Sequence, residues 1–325
     1  MAVTKENEME MFDFEDGFGM VPAHRHVNGG GWVADTAHVD NTAYVEEDAR
    51  VWGEALVYDR ARVWGKARVW GKASVSGNAR VFGNARVFGN AWVFGNAWVY
   101  DNAQVYGEVT ISGRARVYGK ARIWGNAEVY EQSRVWGEAK VWGEASVSGN
   151  AWVYDNAEVY DQAKVFGNAE VYGEARVFGH SCIEGNAKVY EDASVYGDAF
   201  VSGNAEVFGG ACVFDQSSVG SRSKVHGHVS VFGSAMIQDD AEVYGESKVG
   251  GHAGIYNTAK VYGEAKVYGN AVVRGDARVG GESEVYGESE ISGDSVVQDT
   301  AVVYNSSVAN KTLSKVKSHS KGRGL

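Results

Sequence analysis

A period of six residues constrains this chain more than any other feature. In the run from Arg80 to Gly95, RVFGNARVFGNAWVFG, one unit recurs almost unchanged: Val, aromatic, Gly, Asn, Ala and a variable residue. From Val33 to Val303 every sixth residue is Val or Ile, with no insertion or deletion. A fixed short period outranks local helix or strand tendencies, because each unit buries its apolar residue only by stacking on its neighbours. Two places before each anchor stands a small residue, usually Ala (Ala37, Ala43, Ala49) and later sometimes Ser (Ser217, Ser223, Ser247, Ser283). Side chains alternate along a strand, so the anchor and the small residue point inward and their neighbours outward. Gly or Asp two places after the anchor supplies a corner that tolerates positive φ. Each hexad is thus expected to form one side of a prism.

If three hexads close a coil, positions 18 apart stack, and any difference between sides must show that period. Just after the anchor, the side through Val51 reads Trp52, Trp70, Phe88, Tyr106, Trp124, Trp142. The side through Val63 is also aromatic: Trp64, Phe82, Tyr100, Tyr118, Trp136. The side through Val57 alternates small and large: Tyr58, Ser76, Phe94, Ser112, Tyr130, Ser148. The position before the anchor sorts in the same way. Basic residues dominate two sides, with Arg50, Arg68, Arg86 and Arg122 on one and Arg62, Arg80, Arg116, Arg134, Lys188 and Lys224 on the other. The third carries Leu56, Ser74, Trp92, Thr110, Glu128, Ser146, Lys164, Cys182, Phe200, Ser218 and Met236, and is nearly uncharged. The expected architecture is an all-β, three-sided parallel solenoid of about fifteen 18-residue coils, a rod roughly 70 Å long at the usual strand spacing.

The hexads, such as VFGNAR or VYGEAK, resemble the hexapeptide repeat of single-stranded left-handed parallel β-helices over about residues 32 to 305. That resemblance, and not the period, implies the left hand and the family habit of forming trimers. The lead-in HVNGGGWVADTAHV is similar to uncharacterised hexapeptide-repeat proteins of phages and prophages. The best-known enzymes of the class are acyltransferases that bind acetyl-CoA between subunits and use a histidine, commonly on an expelled loop. This chain departs from them, with no loop insertion between Val33 and Val303 and no C-terminal helix to complete the cofactor site.

Outside the repeat, residues 1–31 are expected to cap the solenoid and residues 306–325, rich in Ser and Lys, to form a mobile basic tail. The net charge of -11 ranks nucleic acid last among ligands. Cys182 and Cys212 are too few for a disulfide framework, and the acidic start MAVTKENEMEMFDFEDG is unlike a signal peptide. No run approaches the roughly 18 apolar residues of a membrane span. These features point to a cytoplasmic chain, in the host if it is phage-encoded, with no membrane partner.

Candidate chemistry is sparse. The pair His24 and His26 lacks a third ligand at useful spacing, and His180, His226, His228 and His252 lie within ordinary hexads. No metal, cofactor or catalytic residue is therefore assigned. The combined Arg and aromatic ladders give a candidate ligand surface: Arg62 with Trp64, Arg80 with Phe82, Arg116 with Tyr118 and Arg134 with Trp136 on one side, Arg50 with Trp52 and Arg68 with Trp70 on the other. They would take carbohydrate, nucleotide or a protein, or else simply cover strands and keep the surface soluble. The uncharged side is the candidate subunit interface, through Ser76, Trp92, Phe94, Thr110, Ser112 and Tyr130, then Ser146, Ser148, Phe200, Ser202 and Met236. A homotrimer, or else a dimer, is expected along it. The expected function is a non-catalytic structural or binding protein. The alternatives are a sequestering or inhibitory protein whose ligand sits between subunits, and an acyltransferase-like enzyme.

Overall fold

The computed structural model describes residues 10–315. Among them every regular element is a strand. The chain divides into two compact units, Met1–Asp161 and Gln162–Leu325, each built on the same rule. In the first, Arg50–Val51 pairs in parallel with Arg68–Val69, Leu56–Val57 with Ser74–Val75, and Arg62–Val63 with Arg80–Val81. In the second, Arg176–Val177 pairs with Ser194–Val195, Cys182–Ile183 with Phe200–Val201, and Lys188–Val189 with Glu206–Val207. Partners are 18 residues apart, so three strands close a coil and the sides become three parallel sheets, called here the Val51, Val57 and Val63 sheets.

The core is narrow and uniform. Anchors from Val45 to Val297 and the Ala residues between them are fully buried, a repeating pair of small side chains stacked coil on coil. Where Ser replaces Ala, its hydroxyl usually returns to the carbonyl three residues earlier, as from Ser133 to Tyr130 at 2.7 Å and from Ser223 to Gly220 at 2.7 Å, whereas the buried Ser283 hydroxyl finds no partner among the described residues. Such a partner offsets the cost of burying a hydroxyl. Coils are joined by backbone hydrogen bonds at strand and corner alike: Leu56 N–H donates to Ala73 at 2.9 Å, Tyr58 N–H to Val75 at 3.1 Å, and Asn78 N–H to Gly95 at 2.7 Å.

The N-terminal segment departs from the repeat. Met11–Asp13 and Met20–Arg25 form an antiparallel hairpin, and the second strand pairs antiparallel with Trp32–Ala34, the first strand of the Val51 sheet. Between these last two strands the chain crosses the first strand of the Val63 sheet: Gly31 N–H donates to Val45 O, and Val45 N–H to Asn28 O. Glycine is required there, because a Cβ at Gly29 or Gly31 would lie 2.4 Å from a carbonyl oxygen of Val45 or Glu46. The first strand of the Val57 sheet, His38–Val39, pairs on one side only among the described residues, and Val39 is half-buried where later anchors are fully buried.

At the other end the sheets continue past residue 305, the limit expected from the hexads. Ser307–Ala309 and Thr312–Lys315 pair with Glu290–Ser292 and Val296–Asp299. The register shortens, since Ile291 faces Val308 and Val297 faces Leu313, which conceals these strands from a strict six-residue count. Asn305 and Asn310 hold the shortened corners at positive φ, and their side-chain oxygens accept from the N–H of Glu288 and Asp294. The remainder of the expected tail, residues 316–325, and residues 1–9 of the expected cap lie outside the described residues.

Candidate binding surfaces

The outward aromatics form long stacks in the first unit, and in the second unit Gly250 and Gly280 interrupt them. On the Val51 sheet Trp52, Trp70, Phe88 and Tyr106 follow at centroid distances of 4.9, 4.2 and 4.8 Å with planes within 7° of parallel. On the Val63 sheet Trp64, Phe82, Tyr100 and Tyr118 follow at 4.3, 4.7 and 4.8 Å, and Trp136 lies 5.6 Å further on. The parallel ladder sets this spacing, and offset stacks at such distances are favourable. Both faces of each interior ring are covered by its neighbours. Burial pushes the phenol pKa of Tyr100 and Tyr118 up. These rings therefore present edges, not faces, to a ligand.

Arg50, Trp52, Arg68 and Trp70 have an intramolecular role that the hexads do not reveal. The N-terminal hairpin stacks Phe14 on Trp52 at 5.3 Å and Phe12 on Trp32 at 4.3 Å. Glu15 bridges Arg50 and Arg68 at 3.1 and 2.9 Å, and hydrogen bonding to Arg50, then Arg68, holds its carboxyl below the usual range. The acidic aromatic stretch FDFEDGFGM is thus the complement of this end of the Arg and Trp ladder.

Arg62, Arg80, Arg116 and Arg134 share one outward column of the Val63 sheet with a residue absent from the expected site, Trp98. Arg80 and Arg116, one coil before and one after, place their guanidinium carbons 4.8 and 4.7 Å from the Trp98 ring centre. Arg62 lies 5.4 Å from Trp64, and Arg134 lies 5.5 Å from Trp152. At the neighbouring corner a cavity of about 240 Å³ is lined by Asn78, Arg80, Asn96, Trp98, Arg114 and Arg116. The same column in the second unit alternates acid and base. Lys188 pairs with Glu170 at 3.4 Å, Lys224 with Glu206 at 3.8 Å and Lys260 with Glu242 at 2.7 Å. Lys188 and Lys224, which the sequence groups with the basic side, are thus neutralised by their neighbours. The period of 18 carried that signal in Glu170, Glu206 and Glu242.

The Val57 sheet exposes apolar side chains without a stack. Trp92 is 59% exposed, Leu56 42% and Phe94 38%, while Ser76 and Ser148 are buried. Thr110, Ser112, Tyr130 and Ser146 are half-buried on the same sheet. In the second unit Met236 is exposed, Phe200 and Ser202 are half-buried, and charges interrupt the face, with Arg274 paired to Glu290 at 2.5 Å. The uncharged surface is thus present in both units, interrupted by Glu128 in the first and by Lys164, Glu184, Arg274 and Glu290 in the second.

Residues 79–95 match the family model described as the YdcK beta solenoid repeat. The chain is a β-solenoid repeat protein. The matched stretch is almost one coil and contributes one anchor to each sheet, Val81, Val87 and Val93. No curated protein matches the chain.

Several of the remaining reactive side chains of this β-solenoid are held by neighbouring residues. His24 meets Asp35 at 2.9 Å, whereas His26 is buried with its Nε2 at 3.1 Å from Ala43 O, so the two rings diverge. His226 stacks between Phe208 and Tyr244, and its Nε2 lies 3.2 Å from Glu242 Oε1. His180 lies 3.4 Å from Asp198. Burial pushes the Cys182 thiol up to about 11, well away from a reactive thiolate. Among the described residues no cluster of three His, Cys, Asp or Glu could hold a metal ion, and no helix is long and apolar enough to cross a membrane.

Proposed function

We propose that the chain is a non-catalytic interaction scaffold that associates with copies of itself along the Val57 sheet. One observation carries the reading: on this sheet exposed Trp92, Phe94 and Leu56 stand among recesses floored by Ser76, Ser112 and Ser148. Large and small residues alternate every second coil, so a copy displaced by one coil, about 4.8 Å, sets its side chains into the recesses. A displaced, self-complementary fit favours a two-fold pair over a trimer whose subunits share one height. Covering Trp92 alone removes on the order of 100 Å² of apolar surface from water, worth about 3 kcal/mol. On the Val51 and Val63 sheets the interior rings already cover one another, which leaves exposed apolar side chains there only at scattered positions such as Trp152 and Tyr304.

Light scattering tests the reading. The protein should run at a multiple of 35.0 kDa. Replacing Ser112 and Ser148 together by Glu puts charge into two recesses and should give monomers with unchanged circular dichroism. A monomeric parent, or a double variant of unchanged mass, overturns the proposal, and a mass of three chains replaces the pair with a trimer.

A further inference from the structure

The column on the Val63 sheet of the first unit carries charge that the protein does not neutralise. Arg62, Arg80, Arg116 and Arg134 occupy four of five consecutive coils, with Trp98 in the middle. Among the described residues none of them, nor Arg114 at the corner, forms an ion pair, although Lys188, Lys224 and Lys260 of the equivalent column in the second unit do. The carboxylates on the same corner, Asp59 and Glu131, are engaged by the N–H groups of Gly77 and Gly149. Holding several guanidinium groups side by side in a chain of net charge -11 is repulsive locally and is relieved by an external anion.

The chemistry of the surface narrows that anion. Arg80 and Arg116 are held against Trp98, which fixes the two cations while leaving their N–H edges outward. Asn78 and Asn96 add amide donors beside Arg114 in the 240 Å³ cavity. Two guanidinium groups separated by an intervening coil, about 10 Å, are too far apart to grip one oxyanion together. The spacing suits charges distributed along a chain. Trp98 has no open face on which a base could stack, and neither do the interior rings of the adjoining ladder. The ligand is therefore rich in acceptors, intermittently anionic and without a need for stacking. We propose that this column and its corner cavity bind an acidic glycan, a sugar chain bearing carboxylate or sulfate groups. The site lies on a different sheet from the self-association face, so the two proposals stand or fall separately.

Calorimetric titration of the full chain tests it, with an oligogalacturonate hexamer as the carboxylated probe, a heparin hexasaccharide as the sulfated one, and a neutral glucan hexamer and oligo(dT) as comparisons. At least one acidic glycan should bind, more weakly as salt rises, and the neutral glucan should not. Whichever acidic probe binds identifies the anionic group. Arg80→Gln with Arg116→Gln should weaken binding at least tenfold. So should Arg114→Gln, which leaves both contacts to Trp98 in place and so separates ligand loss from damage to the ladder. Lys188→Gln with Lys224→Gln should leave affinity unchanged, as should Ser112→Glu with Ser148→Glu. The proposal is overturned if neither acidic glycan binds, if oligo(dT) binds more tightly than both, if the neutral glucan binds equally, or if the arginine variants bind like the parent.

Discussion

At the corners from Gly53 onward the backbone turns through positive φ, and two kinds of residue hold it there. Most are glycines, such as Gly65 at 62°, while Asp59, Asp101 and Glu131 adopt 60°, 58° and 60° with a side chain. Their carboxylates accept from the N–H of the corner residue one coil later, as Asp59 does from Gly77 at 3.0 Å and Asp101 from Gly119 at 3.2 Å. The hydrogen bond offsets a left-handed cost of roughly 1–2 kcal/mol for a residue with a Cβ. A Cβ at Gly65 would lie 3.1 Å from Gly83 N, close enough that a longer side chain could reach the same N–H. Gly65→Ala should therefore lower stability by about 1 kcal/mol. Gly65→Asp should melt above the Ala variant because it regains a cap. Thermal unfolding of the pair checks this, and an Asp variant less stable than Ala would contradict it.

The ladders are the unit of stability at the scale of elements, and they come in two chemistries. Stacked rings run along the Val51 and Val63 sheets, while the column beside the second ladder changes from arginine against tryptophan in the first unit to Lys against Glu in the second. In that second column Lys260 donates to Glu242 at 2.7 Å and His226 approaches its other oxygen. The hydrogen bond from Lys260, then that from His226, lowers the Glu242 pKa against the opposing effect of burial. A carboxyl whose folded pKa is depressed stabilises the native state above its ordinary pKa, and that stability is lost as pH falls through the lowered value. Melting of the parent should thus lose this contribution only below the usual carboxylate range. Glu242→Gln should lower the melting temperature at neutral pH and narrow the gap to the parent in acid; a gap that widens in acid would contradict the pairing.

Across the whole molecule, much of the architecture could be read from two nested periods. Six residues gave strand and corner, and eighteen gave the number of sides, because the outward residues of Val51, Val57 and Val63 differ. What escaped were features that break the count or depend on contact. The N-terminal hairpin has no repeat to announce it, so the meeting of Phe14 with Trp52 and of Glu15 with Arg50 and Arg68 was not legible. The last coil drops residues at its corners and falls out of the six-residue frame. Trp98 carries no mark in the hexads that sets it apart, and only side-chain geometry shows it as the residue against which Arg80 and Arg116 are set.

The central claim is that identical sequence units do different work on different sides, and glutamate at three successive outward positions tests it most directly. Phe88 stacks between Trp70 and Tyr106, Tyr100 stacks between Phe82 and Tyr118, and Phe94, from the hexad between them, is 38% exposed on the Val57 sheet. Mass by light scattering and melting temperature should be measured for Phe88→Glu, Phe94→Glu and Tyr100→Glu. The outer two should melt lower, by the loss of roughly 2 kcal/mol of stacking and burial, and keep the parent's mass. Phe94→Glu should shift the mass to 35.0 kDa with little loss of melting temperature once the parent's association is allowed for. Three variants that behave alike, or a Phe94→Glu protein with the parent's mass, would contradict the division of labour between the sheets.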